Sequence, residues 1–223
     1  MIEKPVISAA EAAKMVGEGA VVHVGGFLAC GSPLGILAAL ADLGTRNLTL
    51  VCNDTAVLDE RNGRITGVAP LVRNRQFRKM IVSHIGTNPE SQRQMNAGET
   101  EVVLVPQGTL AERVRAAGCG LGGVLTATGL GTEVQEGKQV VQVRGRTFLV
   151  EEALPGDVAL IKAKKADKAG NLVYSKTARN FNPLMAMACA LVIAEVEEIV
   201  EIGEIDPDQV HTPSILVDYL VKA

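Results

Sequence analysis

The 223-residue chain has no tryptophan, two tyrosines and four phenylalanines. Proteins that hold single-stranded nucleic acid stack its bases on aromatic side chains, and this chain lacks the material for that. It also lacks an excess of positive charge. Twenty-two Lys and Arg stand against 25 Asp and Glu, a formal net charge of −3, so nothing draws the chain to a polyanion. The densest basic run, Arg73-Asn74-Arg75 with Arg78-Lys79, precedes the apolar Met80-Ile81-Val82 and suits a solvated face before a strand. The four cysteines (Cys30, Cys52, Cys119, Cys189) are far apart and form no Cys-x-x-Cys pair. Neither a disulfide framework nor a zinc site is expected, and most of them should pack as small hydrophobes. His23, His84 and His211 show no ligand spacing either, so no metal is expected. Met1-Ile2-Glu3-Lys4-Pro5 begins no apolar stretch long enough for a signal peptide or a membrane span, which makes the cytoplasm the expected location. Gly-x-Ser-x-Gly and Walker A patterns are missing.

What is present is apolar: 47% of the residues, enough to bury a core over a single domain spanning 1–223. Ser8-Ala9-Ala10-Glu11 has the form of a capping box opening a short helix. Ala20–Val24 is a compact apolar run, the mark of a strand buried on both faces. Gly25-Gly26-Phe27-Leu28-Ala29-Cys30-Gly31 follows it. Ser32-Pro33 then suggests an N-cap with proline at the first position of a helix through Leu34, Leu37, Leu40 and Ala41. The pattern repeats. Strands are predicted at Leu48–Cys52, Met80–Ile85 and Glu101–Val105, with helices at Pro89–Ala97 and Leu110–Ala117. Each apolar run ends in small polar residues. The fold class this predicts is α/β, an open, mostly parallel sheet flanked by helices. Ligands of such sheets bind beyond the carboxyl ends of the strands. Four segments should therefore gather along one edge: Gly25–Gly31, Asn53-Asp54, Gly86–Asn88 and Gln107–Thr109. The second half adds a β-hairpin within Gln139–Val150 around Arg144-Gly145, strands at Asp157–Lys162, Leu172–Tyr174 and Leu191–Ala194, and a helix from Asn182-Pro183 to about Ala188.

The Gly25–Gly31 loop is the sharpest local signal. A strand, a glycine-rich turn and a capped helix present backbone N–H groups that can hold a phosphate or a developing oxyanion. A tight βα turn with no ligand fits the same residues. Gly118-Cys119-Gly120-Leu121-Gly122-Gly123 satisfies G-x-G-x-x-G, but it follows a helix where a dinucleotide fingerprint must follow a strand. NAD binding is rejected, and a flexible loop near the site is expected there. Asn53, Asp54 and Gln107 could orient a carboxylate or thioester carbonyl, or simply cap loops. Arg179-Asn180-Phe181-Asn182-Pro183 could serve a carboxylate or start a helix. His23, inside an apolar run, is expected to be a satisfied core residue. Glu195–Glu204 is expected to be a solvated face.

Val24-Gly25-Gly26-Phe27-Leu28-Ala29-Cys30-Gly31-Ser32-Pro33 resembles the first signature of the 3-oxoacid CoA-transferase family (family I). Ser83-His84-Ile85-Gly86-Thr87-Asn88-Pro89-Glu90, Val105-Pro106-Gln107-Gly108-Thr109-Leu110-Ala111-Glu112 and Ala178-Arg179-Asn180-Phe181-Asn182-Pro183 are similar to its alpha (A) subunits. The stretches from Gly120 to Lys138 look closest to acetate (acetoacetate, butyrate) enzymes. Lys164–Tyr174 is shared with succinyl-CoA:3-oxoacid enzymes, whose A subunits are the nearest alternative, a non-catalytic small-molecule-binding regulator module being the more distant one. The resemblance implies a fold shared with ribose-phosphate isomerases and a ping-pong transfer of CoA between an acyl-CoA and a carboxylate. CoA enters as a substrate, and no further cofactor is implied. It also implies a nucleophilic glutamate in a Ser-Glu-Asn-Gly type motif on a beta subunit, in an alpha2beta2 heterotetramer. No such motif occurs in this chain. By position, Gly25, Gly26, Phe27, Leu28, Ala29, Cys30 and Gly31 correspond to the CoA site, with oxyanion support from Gly25 and Gly26. Asn53, Asp54 and Gln107 correspond to the substrate pocket. Asp54 stands where succinate-using relatives have asparagine, and its charge should disfavour a dicarboxylate.

Overall fold

Apolar runs followed by helical segments fold back on themselves only as parallel strands with crossover helices. The computed structural model, which describes residues 2–223, shows this outcome. Strands Val21–Val24, Leu48–Val51, Phe77–Val82 and Glu101–Leu104 lie side by side, all parallel. On the other flank of Val21–Val24 the sheet continues through Gly156–Asp167, Cys189–Val200, Tyr219–Lys222 and Val6–Ile7, again parallel. Leu172–Val173 adds an antiparallel pairing to Gly156–Asp167. Both sheet faces are covered. Ala12, Ile36, Leu40 and Leu71 bring three helices onto the face carrying Val22, Leu50, Met80 and Leu160. Leu110, Val114, Met185 and Ala186 bring helices Gln107–Gly118 and Asn182–Ala188 onto the opposite face, over Val51, Ala159 and Val192. Each fully buried side chain of this size contributes about 1.5–3 kcal/mol relative to exposure.

Strand order makes Val21–Val24 special. Its neighbour on one side is the next sheet strand in sequence, and on the other a strand more than 130 residues away. That reversal is a topological switch point, where the loops leaving adjacent strands part and open a crevice. The glycine-rich loop leaves the carboxyl end of this strand.

The expected hairpin is present. Val140–Val143 and Arg146–Glu152 are antiparallel, joined by Arg144-Gly145 with φ of 49° and 74°, the positive values a two-residue hairpin needs. Gly123–Thr126 adds a third strand to it, so the glycine-rich stretch from Gly118 enters regular structure instead of remaining a flexible loop. A Cβ on Gly123 would press into the Glu151 carbonyl, which explains glycine at the point of entry.

Two strands run much longer than expected, to 12 residues each: Gly156–Asp167 and Cys189–Val200. Their outer halves are charged and look like loop, but the charges pair across the strands, Lys162 with Glu197 at 3.4 Å and Lys165 with Glu198 at 3.3 Å. Surface pairs of this kind are worth about 0.2–1 kcal/mol each, so the ladder itself holds the strands. Glu195 departs further from the expected solvated face. It is buried, and its Oε2 accepts the Ile36 N–H at 2.9 Å.

Candidate functional site

The loop after Val24 is fastened from three directions. The Gly25 N–H donates to the Leu160 carbonyl at 3.0 Å, extending the sheet by one bond. Phe27 and Cys30 then exchange N–H···O bonds of 3.1 and 2.9 Å around Leu28 and Ala29, whose φ values are 47° and 70°. Two consecutive left-handed residues form a tight reversal that normally takes glycine or asparagine. With Cβ-bearing residues it costs about 1–2 kcal/mol per residue, and it persists because its surroundings hold it. Asn180 Oδ1 accepts the Gly26 N–H at 3.1 Å, and its Nδ2 donates to the Cys30 carbonyl at 2.9 Å. Asn182, fully buried, donates from Nδ2 to the Gly31 carbonyl at 2.9 Å and accepts the Lys162 N–H at 3.0 Å. Asp54 Oδ2 accepts the Leu28 N–H at 2.9 Å.

Two expectations about the loop change. Ser32 does not cap the following helix. Its Oγ turns back and donates to the Gly25 carbonyl at 2.9 Å, Pro33 takes the cap position, and the helix Leu34–Leu43 is capped by Glu195 from the sheet. That helix N-terminus already holds a carboxylate. Nor are the Gly25 and Gly26 N–H groups available to an oxyanion, since each donates within the chain. Among the described residues, the loop amides without a partner are those of Ala29 and Gly31. Phe27 and Leu28 present 44% and 41% of their surface at the tip.

Asn53, Asp54 and Gln107 do come together. With Phe27, Leu28, Ser83 and His84 they line a pocket of about 410 Å³ at the carboxyl ends of four adjacent strands. A chain of hydrogen bonds links them. Gln107 Nε2 donates to Asn53 Oδ1 at 2.6 Å, and Asn53 Nδ2 donates to Asp54 Oδ2 at 2.6 Å. Asp54 Oδ1 accepts the Ala56 N–H at 2.8 Å. Asp54 is the one carboxylate lining the pocket among the described residues, and both its oxygens are engaged. Gln107 is the first residue of helix Gln107–Gly118, so it projects from a helix start where a strand end was expected.

Ser83 and His84 join the pocket without having been expected there. Ser83 Oγ donates to the Asn53 carbonyl at 2.7 Å, and His84 bridges to Asp54 in the backbone. Both lie where the Phe77–Val82 strand ends, so the rule that selects Asn53 selects them too. The Gly86–Asn88 segment has another task. Thr87 Oγ1 and Asn88 Nδ2 donate to the Ala56 and Thr55 carbonyls, and Asn88 caps helix Pro89–Asn96. A cleft of about 460 Å³ bordered by Lys14, Leu43 and Arg46 lies where chain enters the strands, at the opposite edge.

His23 is a core residue but not a satisfied one. Its side chain is fully buried, and neither ring nitrogen has a hydrogen-bond partner. Burial pushes its pKa down to about 4, against the opposing influence of the Pro155 carbonyl and Asp157. The cysteines also divide differently from expectation: Cys52 is buried, Cys189 half-buried, Cys30 and Cys119 exposed. No helix among the described residues is long and apolar enough to cross a membrane.

The family model described as Coenzyme A transferase matches residues 6–223. The chain is 50% identical over 204 residues to the alpha subunit of the acetate CoA-transferase of Escherichia coli (strain K12), covering 92% of this chain and 90% of that one. It is 49% identical over 218 residues to the A-type subunit of the probable succinyl-CoA:3-ketoacid coenzyme A transferase of Bacillus subtilis (strain 168), covering 98% and 89%. In fold it is similar to the crystal structure of an acyl-CoA transferase from E. coli O157:H7 in a thioester complex with CoA, at a TM-score of 0.86 and 24% identity. That alignment takes in 99% of this chain and 47% of the other, so this chain spans about half of that structure's length.

Proposed function

Because the chain belongs to the coenzyme A transferase family, we propose that it is the alpha subunit of an acetate or 3-oxoacid CoA-transferase, moving CoA between an acyl-CoA and a short-chain carboxylate. The observation that carries this reading is the pocket at the carboxyl ends of four adjacent strands, where Asn53 and Gln107 offer amide groups beside the Phe27–Cys30 turn. These are groups for orienting a carboxylate or a thioester carbonyl. They are not groups that attack one.

The nucleophile comes from elsewhere. Asp54 spends three of its carboxylate's four lone pairs on the Leu28 and Ala56 amides and on Asn53, which makes it a brace for the loop and not an attacking group. A glutamate supplied by a beta subunit adds to the thioester carbonyl, the C–S bond breaks and CoA thiolate leaves an acyl-glutamyl anhydride. The thiolate then attacks the glutamyl carbonyl, releasing the first carboxylate and leaving a glutamyl-CoA thioester. The acceptor carboxylate repeats these steps in reverse. Each step passes through a tetrahedral oxyanion, and a donor placed where that charge develops lowers the barrier by ~2.7–4 kcal/mol. The Gly25 and Gly26 amides already donate within the chain and do not take that part. The loop 25–31 receives the CoA arm, and Asn53 and Gln107 hold the carboxylate. The working assembly is an alpha2beta2 heterotetramer in the cytoplasm, residues 1–223 act as one domain, and CoA enters as substrate with no further cofactor.

A succinyl-CoA:3-oxoacid enzyme is the second reading, favoured by the similar identity to a relative of that name. The Asp54 charge in the pocket wall opposes the distal carboxylate of succinate. The complex with its beta subunit should therefore transfer CoA from acetoacetyl-CoA to acetate or butyrate with a higher kcat/KM than to succinate. A preference for succinate would replace the first reading with the second.

A further inference from the structure

Helix Gln107–Gly118 carries a glycine at its second residue, Gly108. Glycine is among the poorest helix formers, so a reason for it is expected. Other glycines of this site have one inside the chain. A Cβ on Gly25 would overlap Asn182 Oδ1, and Gly31 has a φ of 79° with the Ala178 carbonyl 2.7 Å from where its Cβ would be. Gly108 has neither. Its φ is not positive, and a Cβ there would meet nothing within 4 Å. Nothing inside the folded chain requires a bare backbone at this place.

Gly108 borders a cleft of about 280 Å³ between its helix and the three-stranded sheet, with Thr109, Glu112, Val124, Leu125 and Thr126. The preceding residue, Gln107, lines the substrate pocket. Pocket and cleft are thus bordered by consecutive residues, Gln107 and Gly108. The cleft is too small for a protein segment and of the right order for part of a small molecule. Val124 and Leu125 give it apolar wall, Leu125 being 48% exposed in the free chain. Glu112 contributes its one charge, shared with Arg115 at 2.8 Å.

We infer that this cleft receives the distal end of the acyl group. Gly108 keeps the passage from the pocket open, and the Val124–Leu125 wall takes the uncharged carbons beyond the carboxyl group. The inference rests on the CoA-transferase reading and deepens it, because it makes Gly108 the residue that sets how long an acyl group can be. A side chain there narrows the passage and leaves Asn53 and Gln107 untouched.

The test uses Gly108→Ala and Gly108→Val in the complex with the beta subunit, comparing kcat/KM for acetate and for hexanoate as CoA acceptors. A change of one or a few methylene-sized groups in an apolar pocket alters selectivity by ~10–200-fold. Valine should lower the hexanoate-to-acetate ratio by about tenfold or more, and alanine should lower it less. Gly108→Ala should also raise the Tm, since alanine favours the helix and meets no neighbour, so a fall in the ratio with a raised Tm cannot be ascribed to misfolding. An unchanged ratio overturns the inference. So does loss of the complex on size-exclusion chromatography with the chain still folded, which would show that the partner fills the cleft. Absence of transfer by the wild-type complex overturns the underlying reading and this inference with it, whereas transfer with an unchanged ratio overturns this inference alone.

Discussion

Gly25→Ala should destabilise the chain by roughly 3–5 kcal/mol and remove CoA transfer, an outsized effect for one methyl group. The added Cβ would coincide with Asn182 Oδ1. Neither group can give way cheaply. Gly25 is fixed by its N–H bond to Leu160 and by Ser32 Oγ on its carbonyl. Asn182 is fully buried and satisfies the Gly31 carbonyl, the Ala178 carbonyl at 2.7 Å and the Lys162 N–H. Moving it aside leaves three polar groups without partners, at about 1–3 kcal/mol each. Asn182→Ala should itself cost several kcal/mol for the same reason. Once Asn182 is gone, however, the alanine at position 25 has room. The double variant should fall short of the sum of the single effects by about 1–3 kcal/mol. Urea denaturation of the three variants reads this directly. A cost for Gly25→Ala below about 1 kcal/mol, within the usual range for surface changes, would mean that the loop is not pinned as described.

Asp54→Ala should be nearly as damaging, through strain. The two backbone N–H groups its carboxylate holds belong to Leu28 and Ala56, and both residues have positive φ, 47° and 59°. Ala29 adds a third at 70°. Their Cβ surroundings are tight, since a Cβ on Gly67 would lie 2.9 Å from that of Ala56 and 3.4 Å from that of Ala29. Left-handed residues other than glycine cost about 1–2 kcal/mol apiece, and Asp54 is the group that offsets this where the two loops meet. Its removal should let the Phe27–Cys30 turn relax, lowering kcat/KM by about a hundredfold, the scale of a misplaced catalytic group. Ala29→Gly introduced into that background should recover part of the loss, because glycine adopts the same backbone without strain. A charge that acted only as a pocket wall would behave otherwise. Asp54→Ala would then leave stability intact and raise the use of succinate, and Ala29→Gly would restore nothing.

The fold is most legible in the sequence where one physical rule acts alone. Strands buried on both faces are mostly apolar, so Leu48–Val51, the Met80–Val82 half of the third strand and the strand leading to the loop stand out as runs. Their polar ends then place Asn53 near the site. The rule fails where pairing replaces burial. The outer halves of Gly156–Asp167 and Cys189–Val200 are held by their ladder, with Lys–Glu pairs lying across it, a pairing of separate parts of the chain that no local window contains. The short strands Val6–Ile7 and Tyr219–Lys222 carry too few residues to show a period. Within the site, the pins are the least legible part. Asn180 and Asn182 look like a helix start, and Glu195 like one acid among many, because the groups they satisfy lie about 150 residues away. Ser83 and His84 are within reach of the strand-end rule, but Ile85 after them prolongs the apparent apolar run and hides where the strand stops.

The division of labour between two chains is the central claim, and the covalent intermediate tests it. The chain should be purified with its beta subunit, incubated with acetoacetyl-CoA without acceptor, and digested for mass spectrometry. The CoA adduct should appear on a glutamate of the beta subunit, with none on any carboxylate of this chain, and the chain alone should neither form an adduct nor transfer CoA. A CoA adduct on Asp54, Glu195 or any other carboxylate of this chain would contradict the account.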